Sequence, residues 1–261
     1  MRRFHCLLIG VSALGLFPGV PGYAEEGSAV SRATGTVKSD FGKFYAEREN
    51  LVRLGIGLAG AGILANTSID EDFRDRYQAD LRSGDTDHVS KAFKVFGAVY
   101  VAAPLYLGAY GAGSMLGSPI MEEWAQKSIR ASVVGTPAVL GLMVALGADR
   151  PSEGGNSAWK PFHSWHGVSA HAFIGAVPFM TAASMTENAY VKAALYGMST
   201  LTGLSRINDD QHYLSQAALG WYLAYLSSCI VEKGGDPQEG RLHFAASPIP
   251  GGWVITARKI F

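Results

Sequence analysis

An all-α bundle of about six apolar helices with a small β-hairpin at the C-terminal end is the fold class the sequence predicts. Three observations predict it. Long uncharged runs alternate with short charged connectors. The runs are rich in Gly, Ala and Ser, residues that let helices approach closely. Strand-like alternation is absent until the end of the chain, where it flanks the turn Pro248-Ile249-Pro250-Gly251-Gly252. At 261 residues the chain is long enough for a real core, and its 48% hydrophobic and 11% aromatic content excludes disorder. Twenty-two basic side chains balance 22 acidic ones, which excludes the basic surplus expected of a nucleic-acid partner.

The elements follow in order. Residues 1–24 read as a signal peptide: Arg2 and Arg3 start it, 7–17 is apolar, and Gly22-Tyr23-Ala24 is a small-residue cleavage pattern. The protein is therefore expected to be exported, and periplasmic. Cys229 would be the one cysteine left after processing, which excludes an internal disulfide and a cysteine metal site. Residues 25–50 form a polar lead-in, expected to be extended over 25–40. A helical domain spans 51–234, built on uncharged runs at 54–68, 95–115, 131–148, 167–186, 193–205 and 213–231. Several runs reach about 18 residues, the length at which a membrane span becomes a candidate, so membrane association is expected, either integral or peripheral. Connector 70–94 is the most charged stretch. Its Arg74, Asp75, Arg76, Asp80 and Arg82 recur at near-helical spacing, as on a solvated surface helix held by weak ion pairs. In the tail, 235–261, Trp253, Ile255, Ala257, Lys259 and Phe261 share one strand face, expected to cap the helical core.

The chemistry gathers at the ends of apolar runs. Asp149-Arg150-Pro151 closes one run; Trp165-His166-Gly167-Val168-Ser169-Ala170-His171 opens the next; Ser205-Arg206 and His212 bracket a third junction. Each cluster alone is commonplace, since Arg-Pro ends many helices and most histidines on apolar helices are structural. Together they suit a phosphate ester. Arginine offers a charged planar fork to phosphate oxygens. A helix N-terminus adds free N–H groups and a favourable dipole. Ser169 could cap its helix and donate to an oxyanion. Histidine can attack phosphorus or protonate a leaving oxygen near neutral pH. Two arginines and two histidines suffice without a metal or other cofactor.

These residues, in this order, resemble the motifs of the type 2 phosphatidic acid phosphatase superfamily, which includes vanadium haloperoxidases. That family carries Lys-x6-Arg-Pro, Pro-Ser-Gly-His and Ser-Arg-x5-His-x3-Asp. Here Arg150-Pro151, Val168-Ser169-Ala170-His171 and Ser205-Arg206 with His212 correspond, over about residues 95–231. The resemblance implies an exported, metal-independent phosphatase acting on phosphate monoesters or pyrophosphates, a lipid phosphate above all. His212 would attack phosphorus and form a phosphohistidine, and His171 would protonate the leaving alcohol. Arg150, Arg206, Ser169, Ser205 and the backbone near Ala170 would hold the phosphate. Four positions depart: Val168 and Ala170 stand where the second motif has proline and glycine, Met143 where the family has lysine, and Gln216 where it has the aspartate that orients the nucleophile. Gln216 can still fix the imidazole tautomer, but brings no negative charge. Asp209, Asp210 and Lys160 are the neighbours that could supply what is missing. The alternatives are a non-catalytic relative that binds an anionic lipid headgroup and, below it, a vanadate-dependent haloperoxidase.

Overall fold

The structure, a computed structural model, describes the backbone of residues 23–233, 242–249 and 252–259 and the side chains of residues 34–233. Most of the expected signal peptide lies outside the described residues, as do parts of the tail. Nine α-helices run in order among the described residues: α1 (Tyr23–Ala46), α2 (Arg48–Ala65), α3 (Ile69–Arg76), α4 (Gly84–Phe93), α5 (Val99–Leu116), α6 (Pro119–Leu146), α7 (Ala170–Ser184), α8 (Ala189–Asn208) and α9 (Leu214–Lys233).

Local chemistry sets several of these boundaries. Ser83 and Thr86 form a reciprocal capping box at the start of α4. The Asn188 side chain accepts from the N–H groups of Tyr190 and Val191 at the start of α8. Proline occupies the first position of α6, where no N–H is required. Gly117 takes the left-handed conformation, φ 65°, that ends α5.

The expected fold is corrected on three points. Six of the nine helices arise from the six uncharged runs, but α1, α3 and α4 come from polar segments. The hairpin is not part of the fold: residues 23–233 contain no strand, and the packing runs helix to helix. The two strand segments, Leu242–Ile249 and Gly252–Lys259, pair antiparallel with each other alone, in the register Leu242↔Lys259 to Ile249↔Gly252. A cap on the helical core is therefore withdrawn, and the all-α class stands. The stretch expected to be extended, 25–40, lies within α1. Asp40 and Phe44, one turn apart on that helix, are both fully buried. Asp40 receives both arms of Arg130, at 2.8 and 2.9 Å, in a bidentate pair closed to water.

The core lies between α6, α7 and α9. Val134 and Val139 of α6, Phe173, Val177 and Met180 of α7, and Leu219, Leu223 and Leu226 of α9 fill it. Small residues set the spacing. A Cβ on Gly220 of α9 would run into the Ser169 carbonyl oxygen, so glycine is what lets α9 lie against the start of α7. α6 and α9 are long and apolar enough to cross a membrane. α5 adds exposed apolar side chains, among them Tyr100, Leu107, Met115 and Leu116.

Candidate active site

Two main-chain hydrogen bonds and one from a side chain bring the sequence clusters to one end of the bundle. The Ser169 N–H donates to Gln216 O at 2.9 Å, and the Ser152 N–H donates to Asp210 O at 2.9 Å. Gln216 Nε2 donates to Asp149 O at 3.0 Å. The end of α6, the start of α7 and the turn between α8 and α9 thus share hydrogen bonds, although they are far apart in sequence.

His212 sits in that turn, 5% exposed. Its Nδ1 lies 2.7 Å from Gln216 Oε1. The donor is settled by the amide's other contacts. Tyr213 N–H, which can only donate, reaches Gln216 Oε1 at 3.2 Å, while Gln216 Nε2 must donate to a carbonyl. Oε1 is therefore the acceptor face, His212 carries its proton on Nδ1, and Nε2 keeps a lone pair. Burial is the main reason that the His212 pKa falls to about 3; the Gln216 hydrogen bond opposes the fall, and the charges of Arg206, Arg150 and His166 add to it. The imidazole is neutral across the physiological range.

His171, the second residue of α7, is also held below its ordinary pKa, first by burial and then by Arg206 and Arg150. His166 is lowered likewise by burial and Arg150. Two arginines and three histidines thus lie within Coulomb reach of one another. Their hydrogen bonding is incomplete. Arg150 Nε, Arg206 Nε and His166 Nδ1 are buried without a partner. The acidic contacts of the arginines are loose, with Arg150 Nη1 3.8 Å from Glu153 and Arg206 Nη1 3.6 Å from Asp209. Buried donors in this state favour an anion among them.

The remaining sequence candidates separate. Ser169, fully buried, caps α7 by accepting the Ala172 N–H at 3.3 Å. Ala170 and His171 open that helix, where N–H groups have no partner within it. Ser205 is turned away: its hydroxyl donates to Thr202 O at 2.7 Å and its carbonyl accepts from Ser90. Met143 packs against the apolar core. The three neighbours considered as substitutes for the missing charges have closer partners of their own. Lys160 pairs with Asp149, Asp209 with Ser90 and Lys94, and Asp210 with Arg74. Sequence reasoning did not place His166 in the site; the signal available was a second histidine five residues before His171, in the loop that leads into α7. Among the described residues no group of three His, Cys, Asp or Glu side chains gathers to hold a metal.

Residues 112–234 match the family model of the PAP2 superfamily, a segment that contains all three clusters and leaves out α1 to α4. No curated protein and no solved structure matches the chain.

Proposed function

We propose that this chain, which belongs to the PAP2 superfamily through residues 112–234, hydrolyses phosphate monoesters or pyrophosphates of lipids through a phosphohistidine. Membership supports a phosphatase-type or related function. The observation that carries the finer reading is His212: a neutral, buried imidazole, proton fixed on Nδ1, among partnerless arginine donors.

In this reading the His212 Nε2 lone pair forms a bond to phosphorus as the ester P–O bond breaks, and His171, protonated, gives its proton to the departing oxygen. Water then attacks the phosphohistidine, neutral His171 takes the water proton, and the N–P bond breaks to release phosphate. Arg150, Arg206, Ser169 and the first N–H groups of α7 stabilise the charge that grows on the phosphoryl oxygens. Gln216 holds the imidazole by a neutral dipole, so the imidazolium formed in transit is less stabilised than beside a carboxylate.

Lipid substrates are supported by the rim. The loop between α6 and α7 presents Phe162, 77% exposed, and Trp165, 61% exposed, beside the Asp149–Lys160 pair. Aromatic rings of this kind favour the headgroup level of a membrane. Arg2, Arg3 and the apolar stretch after them read as an export signal, which supports action outside the cytoplasm with the site facing the periplasm.

The test is turnover of phosphatidic acid, a prenyl pyrophosphate and p-nitrophenyl phosphate by the purified protein in excess chelator. Phosphate release, blocked by vanadate and abolished in His212→Ala, is expected. Vanadate binding without turnover of any of the three would instead favour the headgroup-binding alternative, to which Met143 and Gln216 lend support. Halide oxidation confined to vanadate plus peroxide would favour the haloperoxidase.

A further inference from the structure

We propose that α3, which lies outside the matched segment, is a positioning element for the His212 turn, acting through Asp70 and Arg74. The charged connector was expected to be a solvated face with weak ion pairs. Instead it grips the chain on both sides of His212.

Downstream of His212, α9 starts at Leu214, and the residue before it, Tyr213, has no short polar side chain to cap it. The cap comes from a distant part of the chain. Asp70, fully buried, accepts the Ser215 N–H at 2.9 Å through Oδ1. A carboxylate at this place satisfies one of the unpaired N–H groups and lies at the positive end of the helix dipole. Ser215 is the immediate neighbour of Gln216, the residue that sets the His212 tautomer.

Upstream of His212, Arg74 holds Asp210 with both arms, Nε to Oδ1 at 2.8 Å and Nη2 to Oδ2 at 2.6 Å. Asp210 has a left-handed backbone, φ 56°, a conformation that needs outside support in a residue other than glycine. Its carbonyl also accepts the Ser152 N–H, so the same ion pair steadies the segment that follows Arg150. Just after α3, Gln78 Nε2 donates to Ile207 O at 2.8 Å, and Tyr77 Oη donates to Asn208 Oδ1 at 3.3 Å. Contacts at 207, 208, 210 and 215 thus frame His212, whose own ring is hydrogen-bonded to Gln216 and not to α3. Such a frame fixes where Nε2 stands, and a misplacement of about 1 Å can cost on the order of a hundredfold in rate.

The activity arm of the test rests on the phosphatase reading; the structural arm does not. In the first, Arg74→Ala and Asp70→Ala should lower kcat about a hundredfold with little change in KM. Asp70→Asn, which keeps an acceptor oxygen, should restore most of the loss, and Arg74→Lys, which keeps charge but not the fork, only part of it. In the second, the rate at which diethyl pyrocarbonate modifies His212 is followed by peptide mass, together with amide exchange over 207–217 and over α7. Arg74→Ala and Asp70→Ala should speed His212 modification at least about tenfold and raise exchange over 207–217 while α7 stays protected. Unchanged reactivity and exchange would overturn the proposal, as would exchange rising equally in α7, which marks a general loss of stability. If no phosphate ester is turned over by the wild-type protein but the modification pattern appears, the positioning role stands and the phosphatase reading falls.

Discussion

Replacing Gln216 by Glu tests how much the uncharged partner of His212 restrains the site. The carboxylate keeps the reach of the amide, so one oxygen can still accept both the His212 Nδ1 proton, now at 2.7 Å, and the Tyr213 N–H. What changes is charge. A hydrogen bond to an ionised acceptor contributes about 1.5–3 kcal/mol against about 0.5–1.5 for a neutral one. The gain is larger for the imidazolium than for neutral imidazole, and a difference of order 1.4 kcal/mol corresponds to tenfold in rate and about one pH unit in titration. The change also has a cost: the donor to Asp149 O at 3.0 Å is lost and an oxygen faces that carbonyl, a penalty of about 1–3 kcal/mol. Gln216→Glu should therefore turn over substrate about tenfold faster at substrate saturation, melt several degrees lower, and move the acid limb of its rate profile up from about 3. Steady-state kinetics from pH 3 to 8 and a thermal melt read all three. A folded Gln216→Glu protein with the wild-type rate and the wild-type acid limb would refute the assignment of Gln216 as the partner of the nucleophile.

On the phosphatase reading, the pH profile of kcat/KM of the wild-type protein should be acid-shifted. His212 must be unprotonated and is so above about 3, while His171 must be protonated, and burial and two arginines hold its pKa below the ordinary 6.5; an optimum above pH 7.5 would contradict the roles given. The same His212 shift makes stability fall on acidification, because the unfolded chain takes up the proton first: from about 6.5 down to about 3 the wild type should lose up to roughly 1.4 kcal/mol per pH unit relative to His212→Asn, as urea titrations at several pH values would show. Asp40→Ala strands Arg130 in the core and should cost about 3–5 kcal/mol, whereas Asp40→Leu with Arg130→Met should recover most of that in the same titrations. Phe162 carries a left-handed backbone, φ 63°, so Phe162→Gly should melt no lower than the wild type. If the ring serves lipid contact, the same variant should lose turnover of vesicle-borne phosphatidic acid while keeping that of p-nitrophenyl phosphate.

What could be read from the sequence was what is local. The six uncharged runs carry their own helical signal, and the i, i+4 spacing of His212 and Gln216 already puts an acceptor beside the imidazole. What could not be read depends on partners far along the chain. The segment 25–40 has too little apolar periodicity to announce a helix, and Asp40 is explained only by Arg130, 90 residues away. α3 looks like any water-facing helix until Arg74 meets Asp210 and Asp70 meets Ser215, 136 and 145 residues on. Ser205 shows the opposite error, since a motif position does not say where a hydroxyl points, and this one returns to its own helix. The tail alternates as a hairpin should, but alternation fixes pairing between strands and not their place against a core.

The two departures from the family pattern that change charge, Met143 and Gln216, are coupled. Methionine for lysine removes a positive charge, and glutamine for aspartate removes a negative one, so together they leave the formal charge of the motif set unchanged. Their separate effects differ. Without a carboxylate, the cations around His212 reinforce what burial does and keep the free imidazole neutral, ready as a nucleophile. The cost falls later, when the ring must carry charge. Met143→Lys alone would add another cation where none is balanced and press the His212 pKa lower still, while forcing a charged side chain out of the apolar packing that Met143 now joins. Gln216→Glu alone supplies the countercharge the cations lack. The order in which the two charges are restored therefore matters: the carboxylate has to be present before a lysine at 143 can help.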